Sequence, residues 1–307
     1  MHKPLTQDET NQLQDLIALY RSGHGLPRPF YEDDLVYRAD LDTIWRTRWL
    51  FAGHTCQVKE PGDYFVIEAA GDSLIIIRDD EGGLRALYNT CRHRGSLVCL
   101  QPAGHAKSLV CPYHQWAYDR AGRLIGCRGM DESLNKSDFS LVPAHIEEAQ
   151  GLIYICLART PPAFDDARAC MAPVMQPQGL GRAKVAVQVD YEVDANWKLV
   201  WENNRECFHC NVNHPQYIKA NFDHYNADDT TPRVRELISA EIERSQDKWA
   251  EQGLAVTHHD TGMTRFPAPD NGIWYAANRT PMRPGFISET MDGKQVAPLM
   301  GDYTDAD

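Results

Sequence analysis

The chain has 307 residues, 31 Lys and Arg against 43 Asp and Glu, 43% hydrophobic residues and a formal net charge of −12. This is the profile of a soluble globular protein with room for about two domains. The acidic balance argues against nucleic acid and anionic membrane, which need clustered Lys and Arg to displace counterions. The longest nearly apolar run, 151–158 (GLIYICLA), is far short of the ~20 residues that a membrane-spanning helix needs. The opening MHKPLTQDETNQ lacks the apolar core of a secretory signal, so a cytoplasmic location is expected. In that compartment the nine cysteines point away from disulfides and toward metal or thiol chemistry.

In chain order, residues 8–21 place Leu13, Leu16, Ile17 and Tyr20 at helical spacing behind the capping candidates Thr6, Asp8 and Thr10. A second helical pattern at 40–50 is carried by Leu41, Ile44, Trp45 and Trp49. Short aliphatic and aromatic runs then follow at 64–69, 73–78 and 84–88, punctuated by Pro61-Gly62-Asp63, Gly71-Asp72 and 79–83. They predict a small antiparallel β domain, closed by a strand at 152–157. Pro161, Pro162, Pro173, Pro177 and Gly181 mark 161–182 as a linker. Beyond it, 183–193 alternates Val185, Val187, Val189, Tyr191 and Val193 with Ala186, Gln188, Asp190 and Glu192, which predicts a half-buried strand. Asp194 or Asn196 then stands where a helix from Trp197 through Glu206 needs its cap.

Inside the β domain, Cys91, His93, Cys111 and His114 form a C-x-H…C-x-x-H pattern in two segments suited to tight turns, CRHRGS and CPYHQW. Two thiolates and two imidazoles suit one tetrahedral zinc or a two-iron cluster. The ligand order favours the cluster, because each loop offers one Cys and one His, whereas common zinc modules pair like with like. CRHRG and CPYHQWAY resemble both halves of the Rieske [2Fe-2S] motif, with Pro112 and Trp116 also in place. Structural zinc is the alternative. Tyr113 is placed either to hydrogen-bond a cluster sulfur or merely to shield the site. Cys56, Cys99, Cys127, Cys156 and Cys170 have no partner pattern and read as small buried hydrophobes.

A second constellation lies at 196–215, NWKLVWENNRECFHCNVNHP. Glu206 and His209 are three apart on a helix, and His214 precedes Pro215, where the helix should break. Two imidazoles with a carboxylate from elsewhere make a site that leaves positions open on ferrous iron. The stretch resembles the mononuclear iron motif of Rieske non-haem iron oxygenase α subunits. That resemblance implies His209 and His214 as iron ligands and Glu206 as the acidic bridge to a neighbouring subunit's Rieske histidine. Glu in place of the Asp of many ring-hydroxylating members resembles the branch acting on choline, glycine betaine, carnitine and stachydrine. Asn203 either orients groups near the iron or is a polar helix-surface residue. Cys207 and Cys210 either form a separate zinc site or face packing.

The C-terminal residues resemble glycine betaine oxygenases, and Trp274, Tyr275, Phe286 and Trp249 are candidate walls of a cation pocket, each equally at home in a core. The fold class so implied is α+β: an antiparallel β Rieske domain at 47–160 and a helix-on-antiparallel-sheet catalytic domain at 183–307. An N-terminal segment, 1–46, is expected to pack with the latter. The resemblance still runs at DYTDAD, so the catalytic domain is expected to be truncated. Asp302, Asp305 and Asp307 stand in no context matching the third, carboxylate ligand, which stays unassigned. The implied activity is O2-dependent N-demethylation of a small quaternary ammonium compound such as glycine betaine. It requires a [2Fe-2S] cluster, Fe(2+), and NAD(P)H and flavin through a separate reductase, in a homotrimer. The alternatives are an aromatic-ring dioxygenase α subunit and a Rieske electron carrier without oxygenase chemistry.

Overall fold

The computed structural model describes residues 5–131, 133–205, 209–221, 231–253, 263–267, 273–278, 282, 283, 285–299 and 301, with backbone alone at 170, 173, 174, 205, 211, 263–267 and 273–278. They divide into two units, Met1–Pro162 with Ala183–Tyr191, and Ala163–Arg182 with Glu192–Asp307.

The first unit opens on α1 (Gln7–Ala18), capped by Thr6. Thr6 Oγ1 accepts from Glu9 N, and the Glu9 carboxylate accepts from Thr6 N at 2.8 Å. This reciprocal pair satisfies two of the free donors at the helix start. Arg38 of α3 (Asp34–Asp40), which follows the short α2 (Pro29–Glu32), reaches back to Glu9 at 2.6 Å. The pattern predicted as a helix at 40–50 yields only a π-helical turn, Leu41–Trp45, before the first strand. Arg46 donates to the Ala70 carbonyl at 2.8 Å, and the 1–46 segment groups with this unit rather than with the second.

Ten strands follow: β1 (Leu50–His54), β2 (Asp63–Ala69), β3 (Asp72–Arg78), β4 (Leu84–Tyr88), β5 (Ala103–His105), β6 (Leu109–Val110), β7 (Ala117–Tyr118), β8 (Leu124–Gly126), β9 (Pro143–Ala149) and β10 (Leu152–Cys156). Seven form an antiparallel sheet in the order β1-β10-β9-β4-β3-β2-β5, and β6-β7-β8 form a smaller one. Strand β3 shows why the run Leu74-Ile75-Ile76-Ile77 is apolar without interruption. Successive side chains alternate faces, so Leu74 and Ile76 join a core with Val58, Phe65, Ile153 and Ile155, while Ile75 and Ile77 join another with Leu87, Cys91, Cys111, Trp116 and Tyr118. At about 1.5–3 kcal/mol per buried aliphatic side chain, β3 anchors both cores. The second of them encloses the cysteines of the first motif.

In the second unit the expected linker is in large part helical. α4 (Asp165–Met175) starts with Asp165 and Asp166 in its first turn, where carboxylates suit the helix dipole. Phe164, Ala167, Met171 and Met175, three or four apart, are all buried. That apolar stripe outweighs Pro173, which stands near the end of the helix, and Gly179 (φ 65°) ends the 3-10 turn that follows. α5 (Trp197–Arg205) begins behind Asn196, whose Oδ1 accepts from Lys198 N at 3.0 Å. It is followed by α6 (Cys210–Asn213), α7 (Pro215–Ala220), α8 (Pro232–Glu251) and a hairpin, β11 (Met263–Pro267) with β12 (Ile273–Asn278).

Residues 183–193 form no strand. Val187, Val189, Tyr191 and Val193 are 60% or more exposed, and Val185 is 47% exposed. Alternation supplies an apolar face, but a strand also needs neighbouring backbone to pair with, and this segment has no strand partner among the described residues.

Candidate functional site

The first metal motif occupies two loops with the same local hydrogen bonds. After β4, Cys91 N donates to Ser96 O at 2.8 Å and Gly95 N to Cys91 O at 2.9 Å. Between β6 and β7, Cys111 N donates to Trp116 O at 2.8 Å and Gln115 N to Cys111 O at 3.0 Å. Each loop turns through a residue of positive φ, Gly95 at 76° and Gln115 at 61°. Cys91 and Cys111 are buried, whereas His93 and His114 are half-buried, their rings 4.6 Å apart at 76°. Trp116 stacks on His93 at 4.8 Å and 8°.

His93 Nδ1 is buried without a hydrogen-bond partner, an expensive state for an imidazole nitrogen unless something binds there. Burial, then the neighbouring His114 and Arg94, holds its pKa below the ordinary imidazole range. The neutral ring this favours is the form a metal requires. Two buried sulfurs, two imidazoles nearer the surface and an orphaned ring nitrogen fit a cluster with one sulfur-held and one nitrogen-held iron.

Two residues that sequence reasoning passed over support these loops. The Tyr118 hydroxyl lies 3.2 Å from Cys91 Sγ and accepts from Arg92 N at 3.1 Å. Burial, with the Cys91 contact next, raises its pKa, so it keeps its proton. The retained proton is thus within hydrogen-bonding reach of the sulfur. Asn89 is fully buried. Its Oδ1 accepts from Val98 N at 3.0 Å and Cys99 N at 2.7 Å, while Nδ2 donates to Cys99 O at 2.8 Å and Ser73 Oγ at 3.3 Å. One amide thus closes the base of the loop that carries Cys91 and His93. Tyr113, the residue considered for the sulfur contact, is 61% exposed and its ring lies 3.8 Å from that of His114.

The second motif is also assembled, in part. His209 caps α6, and His214 stands between α6 and α7 with Pro215 opening the next helix. The break expected at Pro215 turns the chain so that the two rings are 5.3 Å apart at 74°. Ligand atoms of His209, Cys210 and His214 lie within 4.8 Å of one another. Cys210 is disulfide-bonded, contrary to the expectation of reduced cysteines, so its sulfur is no thiolate donor. The imidazole pair remains, and it fits an iron held by two histidines with further positions open. Asn203 is exposed on α5. Glu206, Cys207 and the acids Asp302, Asp305 and Asp307 lie outside the described residues.

A pocket of about 340 Å³ adjoins His214, lined by Cys210, His214, Gln216, Tyr217 and Glu289. Trp249 is instead buried on α8, and Phe286 lies over Gly293. The side chains of Trp274 and Tyr275, on β12, are not described. Cys99 and Cys156 are buried, as expected of small hydrophobes, and Cys56 and Cys127 are half-buried.

Residues 48–143 match the Rieske [2Fe-2S] domain, and residues 180–289 match the ring hydroxylating alpha subunit catalytic domain. The glycine betaine monooxygenase oxygenase subunit of Chromohalobacter salexigens is 36% identical over 291 residues, 94% of this chain and 62% of the relative. The chain joins a Rieske domain to the catalytic domain of ring-hydroxylating alpha subunits. The carnitine monooxygenase oxygenase subunit of Acinetobacter baumannii is 33% identical over 62% of this chain and 53% of its own length. The crystal structure of a quaternary ammonium Rieske monooxygenase with its substrate L-carnitine is similar with a TM-score of 0.57 and 30% identity, covering 65% of this chain and 59% of that one. The chain spans about 62% of the length of the glycine betaine relative. The two domain matches imply a [2Fe-2S] cluster and a non-haem iron. No helix among the described residues is long and apolar enough to cross a membrane.

Proposed function

We propose that this chain is the terminal oxygenase component of a two-component Rieske system that removes an N-methyl group from a small quaternary ammonium compound such as glycine betaine. The observation that carries the proposal is the 36% identity to a glycine betaine monooxygenase oxygenase subunit across 94% of the chain, with both metal motifs inside the match. When bound, the cluster supplies single electrons and the ferrous iron supplies the activation of dioxygen.

The chain's own residues set the conditions for that chemistry. Cys91 and Cys111, buried in the core, and His93 and His114, nearer the surface, would hold the cluster. Tyr118 would offer its hydroxyl to one of the sulfurs. His209 and His214 would hold the iron, together with a carboxylate from elsewhere. Glu206 is the bridge that accepts a hydrogen bond from a neighbouring subunit's Rieske histidine, in a homotrimer whose head-to-tail interface closes as a ring. Asn203 would orient groups near the iron. Hydroxylation of an N-methyl carbon gives an unstable product that releases formaldehyde. A flavin and iron-sulfur reductase drawing on NAD(P)H is the partner, in the cytoplasm.

The test supplies the protein with such a reductase, then compares formaldehyde release from glycine betaine with diol formation from aromatic acids. Betaine-dependent formaldehyde is expected; diol without formaldehyde would assign the chain to ring dioxygenases.

A further inference from the structure

We propose that Glu289 and Tyr217 form a cation-recognition subsite that takes a trimethylammonium group in the pocket beside His214. The inference rests on the reading of His214 as an iron ligand and names side chains that would hold the substrate there.

Three observations converge. First, an open surface pocket of about 340 Å³ brings Glu289 and Tyr217 beside His214, and among its five described lining residues Glu289 is the one carboxylate. Second, the site is braced. Asn221 is buried, at 5% exposure, and its Nδ2 donates both to Glu289 Oε1 at 2.9 Å and to the Tyr217 carbonyl at 3.2 Å. One side-chain amide therefore fixes the carboxylate and the backbone of the aromatic residue together. The segment that carries Glu289 is stitched to the end of α7 by Arg283 N to Ala220 O at 2.7 Å and by a bridge between Asn221 and Met282. Third, Glu289 has no cationic partner among the described residues. The nearby Lys219 gives its ammonium to Met291 O at 2.7 Å.

A carboxylate braced by Asn221 and without a cationic partner among the described residues, on a pocket wall that also carries a tyrosine, favours a cation. A quaternary ammonium has no N–H to donate, so its binding depends on the field of a carboxylate and the negative face of an aromatic ring. The net charge of −12 favours approach of such a ligand.

Glu289→Gln is the informative variant, because its amide oxygen preserves the acceptor for Asn221 while the charge disappears. Titration of the metal-loaded protein with tetramethylammonium, followed by ligand-observed NMR, should show about tenfold weaker binding in Glu289→Gln. Tyr217→Leu should lose about threefold or more, and Tyr217→Phe should stay near the parent. tert-Butanol, similar in shape but uncharged, should bind the parent more weakly and be indifferent to Glu289→Gln. Equal tetramethylammonium affinity in the parent and Glu289→Gln would overturn the proposal, as would a parent that binds tert-butanol equally well or tetramethylammonium not at all. Betaine turnover with an unchanged KM in Glu289→Gln would sink the subsite and leave the demethylase reading standing. Charge-dependent binding without betaine turnover would do the reverse.

Discussion

At the scale of single residues, the contact with most consequence for electron transfer is the Tyr118 hydroxyl at Cys91 Sγ. A hydrogen bond to a ligand sulfur stabilises the more negative, reduced cluster and raises its potential. A preference of about 1 kcal/mol for the reduced state corresponds to roughly 40 mV for one electron. Tyr118→Phe should therefore lower the midpoint potential by roughly 40 mV, read by EPR-monitored redox titration, with the cluster retained. An unchanged potential would show that the hydroxyl does not donate to the sulfur. Asn89 acts differently, on the loop itself. Asn89→Ala strands Cys99 N and Cys99 O in the core and leaves Val98 N only a long 3.4 Å bond to the residue-89 carbonyl, at a cost of about 3 kcal/mol. Thermal unfolding should register that loss, and acid-labile sulfide per chain should fall with it; full cluster loading would remove Asn89 from the support of the site. The four Rieske ligands were legible in the sequence because cluster chemistry dictates residue type and spacing. Tyr118 stands in the same CPYHQWAY stretch, yet its role was not legible, since it arises from a contact between two loops 27 residues apart. Asn89 escaped for the same reason: an Asn after a strand looks like an ordinary turn residue until its partners at 98 and 99 are known.

At the scale of elements, the two ligand loops share their hydrogen bonds but differ at the turning residue. Gly95 takes a φ of 76° freely, whereas Gln115 takes 61° at the cost that a side chain pays in the left-handed region. Gln115→Gly should stabilise the protein by roughly 0.5–1 kcal/mol, the relief of strain exceeding the added freedom of the unfolded chain. Gly95→Ala should destabilise it by about 1 kcal/mol, although no atom lies within 4 Å of the added methyl. Denaturant unfolding midpoints measure both, and the same sign for the two changes would refute the backbone explanation. Elsewhere, local pattern was a good guide where burial was local. The strands from 63 to 88 and the Asn196 cap formed as their spacing required. The 161–182 stretch misled because its prolines were weighed above the stripe of Phe164, Ala167, Met171 and Met175. The 183–193 stretch misled because alternation reports a face, while strand formation depends on a partner that local sequence does not contain.

At the scale of the whole molecule, the function as proposed requires a site for electrons and a site for dioxygen chemistry to act on one substrate. The imidazole pair at 209 and 214 separates an oxygenase from a simple electron carrier with the same Rieske domain. The most direct test is a single turnover without any reductase. Metal-loaded protein is reduced chemically, freed of reductant, and mixed with dioxygen in the presence or absence of glycine betaine. Cluster reoxidation is followed by its visible absorption and formaldehyde is then assayed. Reoxidation accelerated by betaine and accompanied by stoichiometric formaldehyde is the expected result. Reoxidation at the same rate with and without betaine, and no formaldehyde in either case, would contradict the assignment and leave an electron carrier.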